Sequence, residues 1–202
     1  MQKLLARCDN LGIRSIKFSV DTIKFSVDRH LHRDPGCRTD ASRYLRNHIR
    51  FYRYALVVFD REGCGDDAPR GEIQQNVERS LERNGWRDRS KAIVIDPELE
   101  AWVWVDSPCV SQVLGWGTDY SGLRNWLYSQ DLWPHECPKP PEPKRAMQAA
   151  MRLKRVRKSA RKFSDLAARV TLSNCQDPAF NELRDTLRRW FPTLRSSSPH
   201  SG

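Results

Sequence analysis

Two short apolar runs limit what this chain can fold into. ALVVFD (55–60) and KAIVID (91–96) are almost unbroken in Val, Ile, Leu and Phe, as strands buried on both faces of a parallel sheet must be. Between them Ile73, Val77 and Leu81 recur every four residues and the pattern stops at Asn84-Gly85, which predicts a helix with a glycine-assisted end. A Thr/Asp start followed by Tyr44, Leu45, His48, Ile49 and Tyr52 on one face predicts another helix over 39–52. IKFSVD (16–21) alternates apolar and polar residues and reads as a further strand. Strand, helix, strand, helix, strand is the order of an α/β fold, a parallel sheet flanked by helices.

IKFSVD occurs a second time at 23–28, offset by seven residues. One repeat of that length is too short for a solenoid. It reads as a local tandem duplication that extends or bulges one edge of the sheet.

With 202 residues, 39% of them hydrophobic, the chain can bury one sizeable core and carry a smaller appendage. No apolar run approaches the ~20 residues that span a bilayer, and no charged-then-apolar leader opens it, so a cytoplasmic protein without a membrane partner is expected. Six widely spaced cysteines without a CxxC pair read as reduced thiols. Lys and Arg balance Asp and Glu at 20 against 20 in residues 1–138, whereas residues 139–202 hold 15 against 5. CPKPPEPK (137–144), stiffened by its prolines, lies between these parts. The expected organisation is an α/β domain with a Trp-rich helical extension (1–136), a Pro-rich connection (137–144), a basic helical C-terminal region (145–192) and a disordered tail (193–202). Trp102, Trp104, Trp116, Trp126 and Trp133 suit core packing, as do Phe180, Leu183, Leu187 and Trp190 at helical spacing.

Parallel sheets gather ligands at the carboxyl ends of their strands. Asp60 and Glu62 end the first central strand, and Asp96, Glu98 and Glu100 follow the second. Residues two apart in an extended chain point the same way, about 6.5–7 Å from each other. Carboxylates crowded together raise one another's pKa unless a cation neutralises them, and a hard ion such as Mg²⁺ or Mn²⁺ takes oxygen ligands. The expected metal set is therefore Asp60, Glu62, Asp96, Glu98 and Glu100. The same acids also suit helix caps and first turns, Asp96-Pro97-Glu98 being an ordinary helix entry. Weaker candidates are the Gly63-Cys64-Gly65 turn, His30 with His32, and His135 with Cys137.

VVFDREG, followed one helix later by IDPELEAWVW, resembles the Toprim-type fold of the RloB-like proteins of bacterial restriction and phage-defence islands. In that family an acid-x-acid pair ends one strand and a Pro-x-apolar-Glu-x-Trp signature follows the next, falling here on Pro97, Leu99, Glu100 and Trp102. HRDPGCRTDA, NGW, LGW, PKPPEPK and CQDPAF extend the likeness, over roughly residues 30–191, to the small Toprim-like component of methylation-associated defence systems. The resemblance implies a Toprim-like parallel sheet and a Mg²⁺-dependent phosphodiester nuclease acting with other subunits of a defence system. Asp60 and Glu62 would hold the metal, Glu100 would complete or orient the site, and Asp96 and Glu98 would support it. Toprim domains begin with a strand ending in an acid, whereas MQKLLARCDNLGI reads as a helix. The resemblance therefore implies that an upstream segment or a neighbouring chain supplies that strand before the site can act. Glu62 also stands where aspartate is more usual.

Residues 143–163 hold nine cations and no acid: Lys144, Arg145, Arg152, Lys154, Arg155, Arg157, Lys158, Arg161 and Lys162. Cations set against phosphates release counterions, so this stretch is expected to bind DNA or RNA in a salt-dependent, sequence-blind way. The alternatives are a solvated helix or one docked on an acidic partner. A non-catalytic nucleic-acid- or partner-binding subunit is accordingly the competing functional expectation.

Overall fold

The computed structural model describes residues 1–21, 36–105, 107–157, 159, 162, 166, 168, 169 and 175–193. Two short helices, α1 (Gln2–Leu5) and α2 (Cys8–Leu11), lead to an extended segment, and α3 (Gly36–Arg46) precedes strand β1 (Ala55–Asp60). Helix α4 (Arg70–Leu81) ends in a wide turn over Glu82–Trp86, where Gly85 takes a φ of 89°. Strand β2 (Ser90–Ile95) runs into a 3₁₀ turn (Leu99–Trp102), followed by α5 (Pro108–Val113), α6 (Tyr120–Ser129), α7 (Pro143–Leu153) and α8 (Pro178–Trp190). The fold is mixed α/β.

Strands β1 and β2 pair in parallel, Val57 opposite Ala92 and Val58 opposite Ile93. Alternation sends each residue set to a different core. Ala55, Val57 and Ala92 meet Val77 and Leu81 of α4 and Ala41 of α3. On the opposite face Ile93 and Ile95 join Trp102, Trp104, Met147, Phe180 and Leu187 in the main core. Full burial of one such isoleucine contributes about 1.5–3 kcal/mol, and β2 is covered on both faces as its apolar run predicts.

Two expectations need adjustment. The helix expected over 39–52 stops at Arg46 and gives way to turns, although Tyr44, Leu45 and Ile49 do pack against the smaller core. Residues 14–21 form no strand ladder with any described residue, so the sheet has two strands among the described residues and not three. Ile16 and Phe18 nevertheless pack onto the main core, because their apolar spacing satisfies burial without a hydrogen-bonded neighbour. The Pro-rich connection joins parts of one core: Ala146, Met147, Ala150 and Met151 of α7 lie with Trp104 and Trp133, and Trp104 Nε1 donates to the Pro143 carbonyl at 3.0 Å. The second IKFSVD copy and residues 194–202 of the tail lie outside the described residues.

Glu182 ties α8 to the sheet. Its carboxylate accepts from Gln74 at 2.6 Å, from Lys91 at 2.7 Å and from Arg70. Burial pushes the Glu182 carboxyl upward, but these donors outweigh it and hold the group below its ordinary range.

Candidate functional site

Asp60 is the last residue of β1 and shares the sheet face of its partner Ile95, so its side chain turns toward the main-core side. There Oδ1 accepts the Leu99 N–H at 2.9 Å, at the start of the 3₁₀ turn that carries Glu100. The carboxyl is pushed up to about 6, first by burial and next by the negative charge of Glu100, with Glu98 adding to the effect. The Leu99 N–H and the Lys144 ammonium act in the opposite direction. A carboxylate so placed resists ionisation until a positive charge arrives.

Glu98 has a different occupation. It is buried, and its Oε1 accepts the Lys144 backbone N–H at 2.8 Å while Oε2 lies 3.3 Å from Lys144 Nζ. Glu98 thus closes the open N-terminal turn of α7, a role normally filled by a residue adjacent in sequence. It also draws Lys144 out of the basic stretch into the neighbourhood of Asp60 and Glu100, whose charges together with that of Glu98 stabilise its protonated form and outweigh burial.

The other two acids stand apart. The strand geometry ends at Asp60; Arg61 and Glu62 form a turn in which their N–H groups bond the carbonyls of Ile95 and Pro97 at 2.7 and 3.0 Å. Glu62 is exposed, as is Asp96, which pairs with Arg61 at 3.5 Å. The structure therefore groups Asp60, Glu98 and Glu100 with Lys144 and leaves Glu62 and Asp96 facing solvent. Among the described residues no group of three or more His, Cys, Asp or Glu side chains is placed to hold a metal ion. With Glu98 committed to α7, Asp60 and Glu100 remain. Two carboxylates fit Mg²⁺, which usually keeps several waters and takes substrate phosphate, better than they fit an ion that demands a protein cage.

Along α7 Ala146, Met147, Ala150 and Met151 are buried, whereas Lys144, Arg145 and Arg152 are exposed; Lys154, Arg155 and Arg157, past the end of the helix, are exposed as well. Arg145 pairs with Glu142 at 2.8 Å and Lys154 lies over the Trp116 ring at 4.1 Å. Lys162 is half-buried, and Lys158 and Arg161 lie outside the described residues.

The weaker candidates resolve into local structure. Arg38 donates to the Cys64 and Gly65 carbonyls at 2.9 and 3.2 Å and pairs with Asp66, pinning the glycine turn from below. His135 stacks on Tyr128 with 3.6 Å between ring centroids. His30 and His32 lie outside the described residues. No helix among the described residues is long and apolar enough to cross a membrane.

Sequence reasoning missed the placement of Lys144 at the acids and the capping by Glu98. The partners stand 46 residues apart, and no local pattern encodes such a pair. Comparison of the chain with protein-family models, curated proteins and solved structures gave no match.

Proposed function

We propose that this chain is a Mg²⁺-dependent phosphodiester nuclease with a Toprim-like acidic site, working within a bacterial anti-phage or restriction-type defence system. One observation carries the chemistry: the half-buried Asp60 carboxyl at the end of β1, raised to about 6 beside Glu100. The defence setting rests on the sequence resemblance alone. Asp60 and Glu100 would hold the ion. Such an ion supplies Lewis-acid polarisation of a phosphate and acidifies water when bound. Asp60 keeps negative charge at the strand end, Lys144 offers a cation to a phosphate oxygen beside it, and Arg152, Arg155 and Arg157 hold the nucleic-acid backbone nearby.

Calorimetry with Mg²⁺, paired with incubation of the protein with single- and double-stranded DNA and RNA, tests this reading. Mg²⁺ binding that disappears in Asp60→Asn and in Glu100→Gln is the expected result, together with cleavage that requires companion subunits or an added strand ending in an acid and is lost in both variants. Binding that survives both substitutions places the ion elsewhere and defeats the proposal.

A second reading is supported by the pairing of Glu98 with Lys144, which leaves two carboxylates where a nuclease often uses three. In that reading the chain is a non-catalytic subunit whose basic face recruits DNA, RNA or companion proteins. Nucleic-acid binding without cleavage, even when companion subunits are added, is its signature.

A further inference from the structure

Cations and acids balance over residues 1–138 as a whole, but not locally. Residues 41–59 hold Arg43, Arg46, Arg50 and Arg53 and not one acid, and Phe51 and Tyr52 stand between the last two arginines. Past the end of α3 the chain turns, the Phe51 and Tyr52 N–H groups bonding the His48 carbonyl at 3.0 and 3.1 Å. Phe51 is left 80% exposed, more than any other large apolar side chain among the described residues. A lone exposed aromatic is ordinary. One set among exposed arginines has the composition of a surface on which bases stack and phosphates are held.

A second cationic turn is fixed against the first. Arg89 Nη2 donates to the Ile49 carbonyl at 3.4 Å and to the Gly85 carbonyl at 3.2 Å, and Trp86 Nε1 donates to the Leu45 carbonyl at 3.2 Å. The approach is close enough that a side chain at Gly85 would collide with Ile49. The turn over Glu82–Trp86 thereby brings Arg83 and Arg87, both exposed, beside the exposed Arg46 and Arg50, with Glu82 and Asp88 as its own acids. Cations at a helix end complement its dipole, which accounts for Arg46 and Arg83. Arg50 and Arg87 lie beyond the last turns, where that effect has faded. Both turns lead into the first residues of the strands, Ala55 and Ser90, whereas Asp60 ends β1 at the other pole, roughly 17 Å along the strand.

We propose that these paired turns form a binding site for single-stranded nucleic acid, in which Phe51 stacks on a base and Arg46, Arg50, Arg83 and Arg87 take backbone phosphates. Stacking needs an open base face, which a duplex hides. Neither contact reads sequence, so DNA and RNA strands both fit. The site is independent of the Mg²⁺ reading at Asp60, because it uses none of the acids there.

Fluorescence anisotropy with labelled oligothymidylate and oligouridylate of about 16 nucleotides tests the site. Running it in EDTA, on full-length chain with Arg152, Arg155 and Arg157 already replaced by glutamine, separates the paired turns from the acids and from the C-terminal cations. Phe51→Ala is expected to raise the Kd for both strands at least about fivefold without changing the salt slope, and Phe51→Trp to keep the parent affinity. Arg46→Gln combined with Arg50→Gln should flatten the slope by about 1.4 units. A chain that binds neither strand in this background overturns the inference, as does Phe51→Ala that binds both as the parent does or weakens a blunt duplex equally. Polyglutamate that binds more tightly than either strand, and is lost in Phe51→Ala, gives the surface to an acidic protein and also overturns it.

Discussion

At the scale of the residue, Asp60 connects stability to function. Its folded pKa of about 6 lies above the ordinary 3.8, so below about pH 4 the group is protonated in both states and costs nothing. As pH rises through the folded value, the native state must carry a charge it disfavours, and stability falls between about pH 4 and 6. A shift of two units corresponds to about 3 kcal/mol, which solvent screening at this half-buried position reduces to about 1–2 kcal/mol. Asp60→Asn keeps an acceptor for the Leu99 N–H and loses the charge. It is therefore expected to be more stable than the parent by about 1–2 kcal/mol at pH 7.5 and equal to it at pH 3.5. Urea unfolding at the two pH values measures both. A destabilised Asn variant at pH 7.5 would mean that nearby cations, and not burial, govern this carboxyl.

At the scale of the element, α7 serves the acids at its start and solvent along its outer face. Glu98→Ala opens the first turn of the helix and releases Lys144, an expected loss of about 1–2 kcal/mol for a buried cap. Glu98→Gln retains an acceptor and should lose less, and thermal unfolding of the two variants separates the cap from the ion pair. At the last turn of α7 and just beyond it, replacing Arg152, Arg155 and Arg157 with glutamine removes three exposed cations. If all three meet phosphates, nucleic-acid affinity should drop and the slope of log K against log salt should flatten by roughly two to three units. A salt titration with an unchanged slope would reassign this face to a protein partner.

At the scale of the whole molecule, the neutral body and the basic end share one hydrophobic core. Met151 of α7 is buried in the same cluster as Ile93 of β2 and Phe180 of α8. Met151→Ala should cost about 2–5 kcal/mol and lower a single unfolding transition, seen alike by tryptophan fluorescence and far-ultraviolet circular dichroism. Two separate transitions, only one of them shifted, would show that charge asymmetry marks a thermodynamic boundary after all.

Periodicity alone was enough to locate β1, β2, α4 and the buried face of α8, because each of these carries its own repeat of apolar residues and needs no distant partner to be recognised. Charge counting likewise picked out the cationic stretch, and strand polarity picked out Asp60. Tertiary structure decided which acids meet. The turn after Asp60 carried Glu62 into solvent, Arg61 took Asp96, and the approach of α7 claimed Glu98 through a backbone N–H that no spacing rule foretells. It also decided that residues 14–21 form no ladder with the described residues, since a strand is completed only by a neighbour. Local pattern is written in consecutive residues, whereas contacts between segments many residues apart arise only when the whole core closes.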